Sequence, residues 1–156
     1  MKVPVPFFLS YARTNSADID RLREVLTPLF KISPDFAFGE WIDRQILPGE
    51  NWRAEIEEAI KHSRFGLLLL SPDFVASDFI TRNELPPLLA KPIVVPVELH
   101  RIAFDGSTDL KGLEERQVFR DSKGRSFDRC RMAPDRRDFA RELFTKIIAL
   151  LRKYPC

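Results

Sequence analysis

A short apolar run in the middle of the chain constrains the fold more than any other feature. Residues 65–70, FGLLLL, carry no polar side chain and lie between charged and turn-forming neighbours. A run of this length without a polar face is typical of a parallel strand buried on both sides. Ser71 and Pro72 follow, and both are common at the start of a helix. The sequence therefore predicts a central strand that leads directly into a helical segment.

Glu84 lies near the end of that helical segment. Ser77-Asp78 gives a second helix-start signal, and Pro86-Pro87 is expected to kink or stop the helix just after the glutamate. Two interpretations of Glu84 stay open. It is either an exposed helical carboxylate, the usual position of a glutamate, or an acid held beside the end of a buried strand, where it can take part in chemistry.

Composition narrows the class of protein. The 156 residues are 44% hydrophobic and 31% charged, which fits a single domain, 1–156, with its own core. A net charge of +2 gives no reason to expect nucleic-acid binding. No segment reaches the roughly 20 apolar residues of a membrane span, and no signal peptide is evident, so we expect a cytoplasmic domain that does not bind membranes. Cys130 and Cys156 lack disulfide or zinc spacing and are expected to be reduced thiols.

The alternation of predicted strands and helices indicates the fold. It predicts a three-layer α/β domain, a flavodoxin-like parallel sheet of about five strands with helices on both faces. Ligands in such sheets bind at the carboxyl ends of the strands. The predicted strands are 5–11, 37–43, 65–70, 92–98 and, weakly, 117–119, and the predicted helices are 17–30, 51–62 with Asn51 as cap, and one that opens at Pro134-Asp135.

Two strand features carry further expectations. Pro92 and Pro96 place the fourth strand near a sheet edge or in a local bend. The third strand ends in Leu70-Ser71 and not in an aspartate, which excludes a phosphoacceptor receiver domain of the same fold class. Neither a GxxxxGK[ST] nor a GxGxxG motif occurs, so a P-loop nucleotidase is excluded as well.

The pattern weakens after Arg101 into a charged segment. Between Arg116 and Arg137, eight lysines and arginines stand against three aspartates. This basic segment is either a solvated loop face or a docking surface for an acidic partner.

Several motifs, taken in order, resemble the Toll/interleukin-1 receptor (TIR) domain family. The resemblance looks closest to its bacterial NAD-cleaving branch and covers residues 1 to about 100 and the last helix. The motifs are Phe7-Phe8-Leu9-Ser10-Tyr11-Ala12-Arg13, Trp41-Ile42-Asp43, Pro48-Gly49-Glu50-Asn51-Trp52, Leu69-Leu70-Ser71-Pro72-Asp73-Phe74 and Ser77-Asp78-Phe79 with Glu84-Leu85.

The resemblance implies either an NAD⁺ glycohydrolase or a non-enzymatic signalling module, because the family contains both. In its enzymes a glutamate on the helix after the third strand is catalytic, and that position is Glu84. NAD⁺ is then a substrate, and neither a cofactor nor a metal is expected. The resemblance also implies substrate-binding residues in the loop after the first strand and on both sides of the loop after the second strand. They are Ser10, Tyr11, Arg13, Asp43 and Trp52. For Trp52 the alternative is a core aromatic at the start of a helix.

The resemblance also has implications for partners, and the sequence departs from the family's commonest enzymatic pattern in one place. The resemblance implies self-association with other TIR domains. It also implies an immune, anti-phage effector that is fused to a sensor protein or works with one. In a fused arrangement, residues 1–156 would be the N-terminal effector domain of a longer protein. Ile46-Leu47, in the long loop after the second strand, is an exposed-looking apolar pair suited to such assembly. Ile80 and Thr81 stand where the commonest enzymatic pattern has tryptophan and cysteine.

Overall fold

A parallel sheet of four strands forms the centre of the domain. The structure, a computed structural model, describes residues 1–41 and 48–155. The strand order is β2-β1-β3-β4, and every neighbouring pair is parallel, which confirms the flavodoxin-like sheet. The strands are β1 (Val3–Tyr11), β2 (Phe36–Trp41), β3 (Phe65–Leu70) and β4 (Val94–Glu98).

Helices cover both faces of this sheet. The first and last helices share one apolar cluster with one face of β1, β3 and β4, and the three middle helices share a second cluster with the opposite face. The predicted three-layer arrangement is therefore confirmed. The helices are α1 (Ser16–Lys31), α2 (Trp52–His62), α3 (Pro72–Ala76), α4 (Leu85–Leu89) and α5 (Ala133–Lys153).

The apolar run of residues 65–70 forms β3 with the predicted bounds, and all six residues are buried. Phe65, Leu67 and Leu69 pack in the cluster with α1 and α5. Leu68 and Leu70 pack in the other cluster. Each such side chain contributes about 1.5–3 kcal/mol when removed from water. Burial on both faces is the reason that this strand needs no polar position.

The predicted fifth strand is reduced to a single bridge. Phe119 donates its N–H to Pro96 O at 2.8 Å, and Glu98 donates its own N–H to Phe119 O at 3.0 Å. Two residues later the chain enters a tight turn, in which Asp121 N–H bonds to Arg125 O. Because the turn begins there, strand pairing cannot continue. Within the described residues the sheet has four strands, and Pro96 lies in its last strand, as expected of an edge.

The helix that carries Glu84 does not stop before the prolines. Residues 78–89 are helical throughout, and Ile80–Glu84 forms a π-helical turn. Leu85 donates its N–H to Ile80 O, five residues earlier, in place of the usual four. Pro86 and Pro87 have no N–H to give to the preceding turn, and a wider turn accommodates their rings. The predicted stop is therefore absent, and the helix instead widens locally before the two prolines.

Gly66 in β3 lies directly against Leu88 of α4. A Cβ atom at Gly66 would lie 2.6 Å from Leu88 Cδ2, in a side chain that is fully buried. We expect Gly66→Ala to lower the free energy of unfolding by about 1–3 kcal/mol, because overpacking displaces the leucine. Gly39→Ala in β2 is the matched control, since its Cβ would meet only Pro6 Cα at 4.0 Å. Denaturant unfolding of both variants tests this, and equal losses would contradict it.

Among the described residues, no helix combines the length and apolar character needed to cross a membrane.

Candidate functional site

A cleft of about 510 Å³ lies at the carboxyl ends of β1 and β3. This is the edge at which parallel sheets of this kind bind ligands. One wall comes from the chain that leaves β1, and the other runs from α3 to the π-helical turn. The lining residues are Tyr11, Ala12, Arg13, Thr14, Asp73, Ala76, Ser77, Phe79, Ile80 and Glu84.

Glu84 lines this cleft from the end of the π-helical turn. Only 4% of its surface is exposed, so it is not an exposed helical carboxylate. Ser10, in β1, donates its hydroxyl to Glu84 Oε1 at 2.7 Å. A buried carboxylate is costly unless it is hydrogen-bonded. The structure thus holds an acid at a cleft, with a donor from the neighbouring strand.

A polar network joins the two walls of the cleft. Ser71 donates to Asn15 Oδ1 at 2.6 Å, and Asn15 Nδ2 donates to Asp73 Oδ2 at 3.0 Å. Thr14 donates to the same aspartate oxygen at 3.1 Å. The sequence motif contained Ser71 and Asp73 but gave no sign of these partners, because Asn15 and Asp73 are 58 positions apart.

An aromatic pair borders the cleft. Phe79 lines it, and the Phe79 ring lies 5.2 Å from that of Trp52. Both remain partly exposed, Phe79 at 36% and Trp52 at 42%. Trp52 is therefore not a core aromatic at a helix start. Phe79 belongs to the Ser77-Asp78-Phe79 motif, but nothing in the sequence pattern indicates that its ring lines the cleft.

The predicted site residues are only partly brought together. Tyr11, Arg13 and Glu84 line one cleft. Ser10 lies beside it, 1% exposed and bonded to Glu84, and Trp52 adjoins it through Phe79. Asp43 and the Ile46-Leu47 pair lie outside the described residues.

The TIR domain family model matches residues 7–131. The chain belongs to the TIR domain family. The matched span includes all predicted site residues of this TIR domain and ends just before α5. No curated protein shows significant similarity to the chain.

Several arginines in the basic segment of this TIR domain form ion pairs or hydrogen bonds within the fold. Arg120 makes a two-pronged contact with Glu98, with Nε to Oε1 at 3.0 Å and Nη2 to Oε2 at 2.8 Å. Arg125 pairs with Asp121 at 2.7 Å. Arg116 and Arg136 donate to backbone carbonyls. Half of the eight cations thus have structural contacts, which leaves a smaller basic surface than the sequence predicts.

Cys130 is a buried free thiol in the same segment. Burial raises its pKa to about 11, so at neutral pH it stays protonated. A protonated thiol is a poor nucleophile and a poor metal ligand. Within residues 1–41 and 48–155, no group of three or more histidine, cysteine or acidic side chains is arranged to hold a metal ion.

Proposed function

We propose that this TIR domain hydrolyses NAD⁺ at the bond between nicotinamide and ribose, with Glu84 as the catalytic residue. The observation that carries the proposal is a buried carboxylate lining a cleft at the carboxyl edge of the sheet. The cleft volume of about 510 Å³ is within the range of roughly 300–1,000 Å³ typical of small-molecule sites.

The chemistry needs one well-placed acid. Nicotinamide leaves as a neutral base with the bonding electron pair, and positive charge develops on the ribose as the bond breaks. A fixed carboxylate beside the ring stabilises that transition state more than it stabilises bound NAD⁺. Water then adds to the anomeric carbon and releases a proton, giving ADP-ribose. In glycoside hydrolysis, carboxylates likewise stabilise a cation-like ring.

Other residues of the cleft suit the rest of the dinucleotide. Arg13 offers a guanidinium, which fits the pyrophosphate, and Tyr11 lies next to it. Ile80, where the commonest pattern has tryptophan, is buried, but the exposed ring of Phe79 precedes it and is backed by Trp52. This pair supplies a stacking surface for one base. Asp43 remains part of the proposed binding set.

The direct test is to incubate purified protein with NAD⁺ and to follow nicotinamide and ADP-ribose by chromatography. Release of both in equal amounts is expected. A cyclic isomer in place of ADP-ribose would keep the bond cleavage and change the fate of the ribose. No nicotinamide from protein at tens of micromolar, with an oligomerising fusion partner attached, would contradict the proposal and favour the non-enzymatic signalling module.

The proposed activity requires self-association, as in an anti-phage effector switched on by a sensor. Nicotinamide release per molecule is then expected to rise with protein concentration. Ile46→Glu should suppress that rise if the apolar pair of this loop contributes to assembly. Ile32→Glu is the matched control, since Ile32 is 73% exposed at the end of α1 and does not line the cleft. Constant turnover from nanomolar to tens of micromolar, with a monomer by light scattering, would contradict the mechanism.

A further inference from the structure

We infer that Ser10 is a positioning residue that holds the Glu84 carboxylate, and not a contact for the nucleotide. This inference rests on the proposed function. Ser10 is 1% exposed, is absent from the residues that line the cleft, and donates its hydroxyl to Glu84 Oε1 at 2.7 Å. It acts on a ligand only through the glutamate.

The hydroxyl is carried by an internal strand of the sheet. Ser10 lies in β1, which pairs with β2 on one side and β3 on the other, and it is in register with Leu68 of the central strand. Glu84 ends the π-helical turn, so donor and acceptor approach from two different elements that are 74 positions apart. A functional group fixed from an internal strand keeps its geometry better than one fixed from a loop.

A donor to an ionised acid has two effects. It makes a charge-assisted hydrogen bond, which is stronger and shorter than one between neutral groups. It also favours the ionised over the protonated form of the carboxyl group. Since the proposed chemistry needs the ionised form, Ser10 contributes both to the orientation and to the charge state of the acid.

Among the described residues, the other charged or titratable side chains that line this cleft are Tyr11, Arg13 and Asp73. They come from the end of β1, the chain that follows it, and α3. All of them are retained when Ser10 alone is changed. A change in the pH dependence of a Ser10 variant therefore reports the lost hydroxyl.

The kinetic test compares three substitutions in the full chain. Ser10→Ala removes the donor, Ser10→Cys fills the same space with a weak donor, and Ser10→Thr keeps the hydroxyl. We expect alanine and cysteine to lower kcat about ten- to hundredfold with KM unchanged. The acid limb of the pH–rate profile should move to higher pH, and threonine should restore it. A rise in KM with unchanged kcat would instead assign Ser10 to nucleotide binding and overturn the inference.

A second measurement does not depend on activity. In protein labelled with ¹³C at the glutamate side-chain carboxyls, Glu84→Gln identifies the Glu84 signal, and its titration is followed in each Ser10 variant. The midpoint should move to higher pH in Ser10→Ala and Ser10→Cys and stay in place in Ser10→Thr. An identical midpoint in wild type and Ser10→Ala overturns the inference; if the alanine variant does not fold, the cysteine variant decides. If wild type releases no nicotinamide, the proposed function fails and this titration still tests the contact.

Discussion

Replacing Glu84 by glutamine is expected to lower nicotinamide release from NAD⁺ by at least about a hundredfold, the cost of losing one group that stabilises transition-state charge. The amide has nearly the same size as the carboxylate, and its oxygen can still accept the hydroxyl of Ser10. The fold should therefore remain, and the loss should appear in kcat more than in KM. Steady-state kinetics with assembled protein and a melting curve measure both effects.

Asp78→Asn is the matched control for Glu84. Asp78 belongs to the same helical segment, is exposed and does not line the cleft. Its substitution removes one negative charge in the same way and is expected to leave turnover within about twofold of wild type, as for surface changes away from a site. Equal rates for wild type and Glu84→Gln would show that the acid takes no part in the reaction.

Arg120→Ala is expected to cause the largest loss of stability. Glu98 ends β4 and its side chain is fully buried, while Arg120 pairs with both of its oxygens. Removing the arginine leaves a buried charge without its main partner, which typically costs about 3–5 kcal/mol. Denaturant unfolding of both proteins measures this difference in free energy.

Arg101→Ala provides the comparison for that prediction. Arg101 also contacts Glu98, but at 3.3 Å and with 52% of its side chain exposed. Exposed pairs of this kind contribute about 0–1 kcal/mol. The double variant Glu98→Gln with Arg120→Ala removes both charges and should recover part of the stability lost in Arg120→Ala. Equal stability losses in the two single arginine variants would show that the distance and exposure of each arginine do not determine how much its contact with Glu98 contributes to stability.

The sheet could be predicted from the sequence because its signals are local. The unbroken apolar run predicts the bounds of β3, and Asn51 is a predicted helix cap whose side chain accepts from Ala54 N–H. The repeat of apolar positions predicts α1 to within one residue at each end, and Pro134-Asp135 predicts the start of α5 to within one residue. Each of these signals lies within one stretch of chain, so no knowledge of distant contacts was needed.

The candidate site and the segment after β4 depend on contacts between residues that are distant in sequence. The Ser10 hydroxyl meets Glu84 only after β1 and the π-helical turn are packed together, and the turn itself depends on how the two prolines are accommodated. The segment after β4 is irregular and is held by side-chain contacts, in which Asp121 accepts from the backbone N–H groups of Lys123 and Arg125 and pairs with the Arg125 guanidinium. Neither arrangement has a periodicity that a sequence pattern shows. The position of Glu84 could be predicted, but its burial and its partner could not.

The hydrogen bonds among Thr14, Asn15, Ser71 and Asp73 connect the two walls of the cleft through the chain's own side chains. A ligand that binds there does not have to order this part of the site, so the conformational entropy of these loops is already spent during folding. The affinity of the site is thereby linked to the stability of the domain. Asn15 is 6% exposed and bonds to both Ser71 and Asp73, so this preorganisation depends on its side chain.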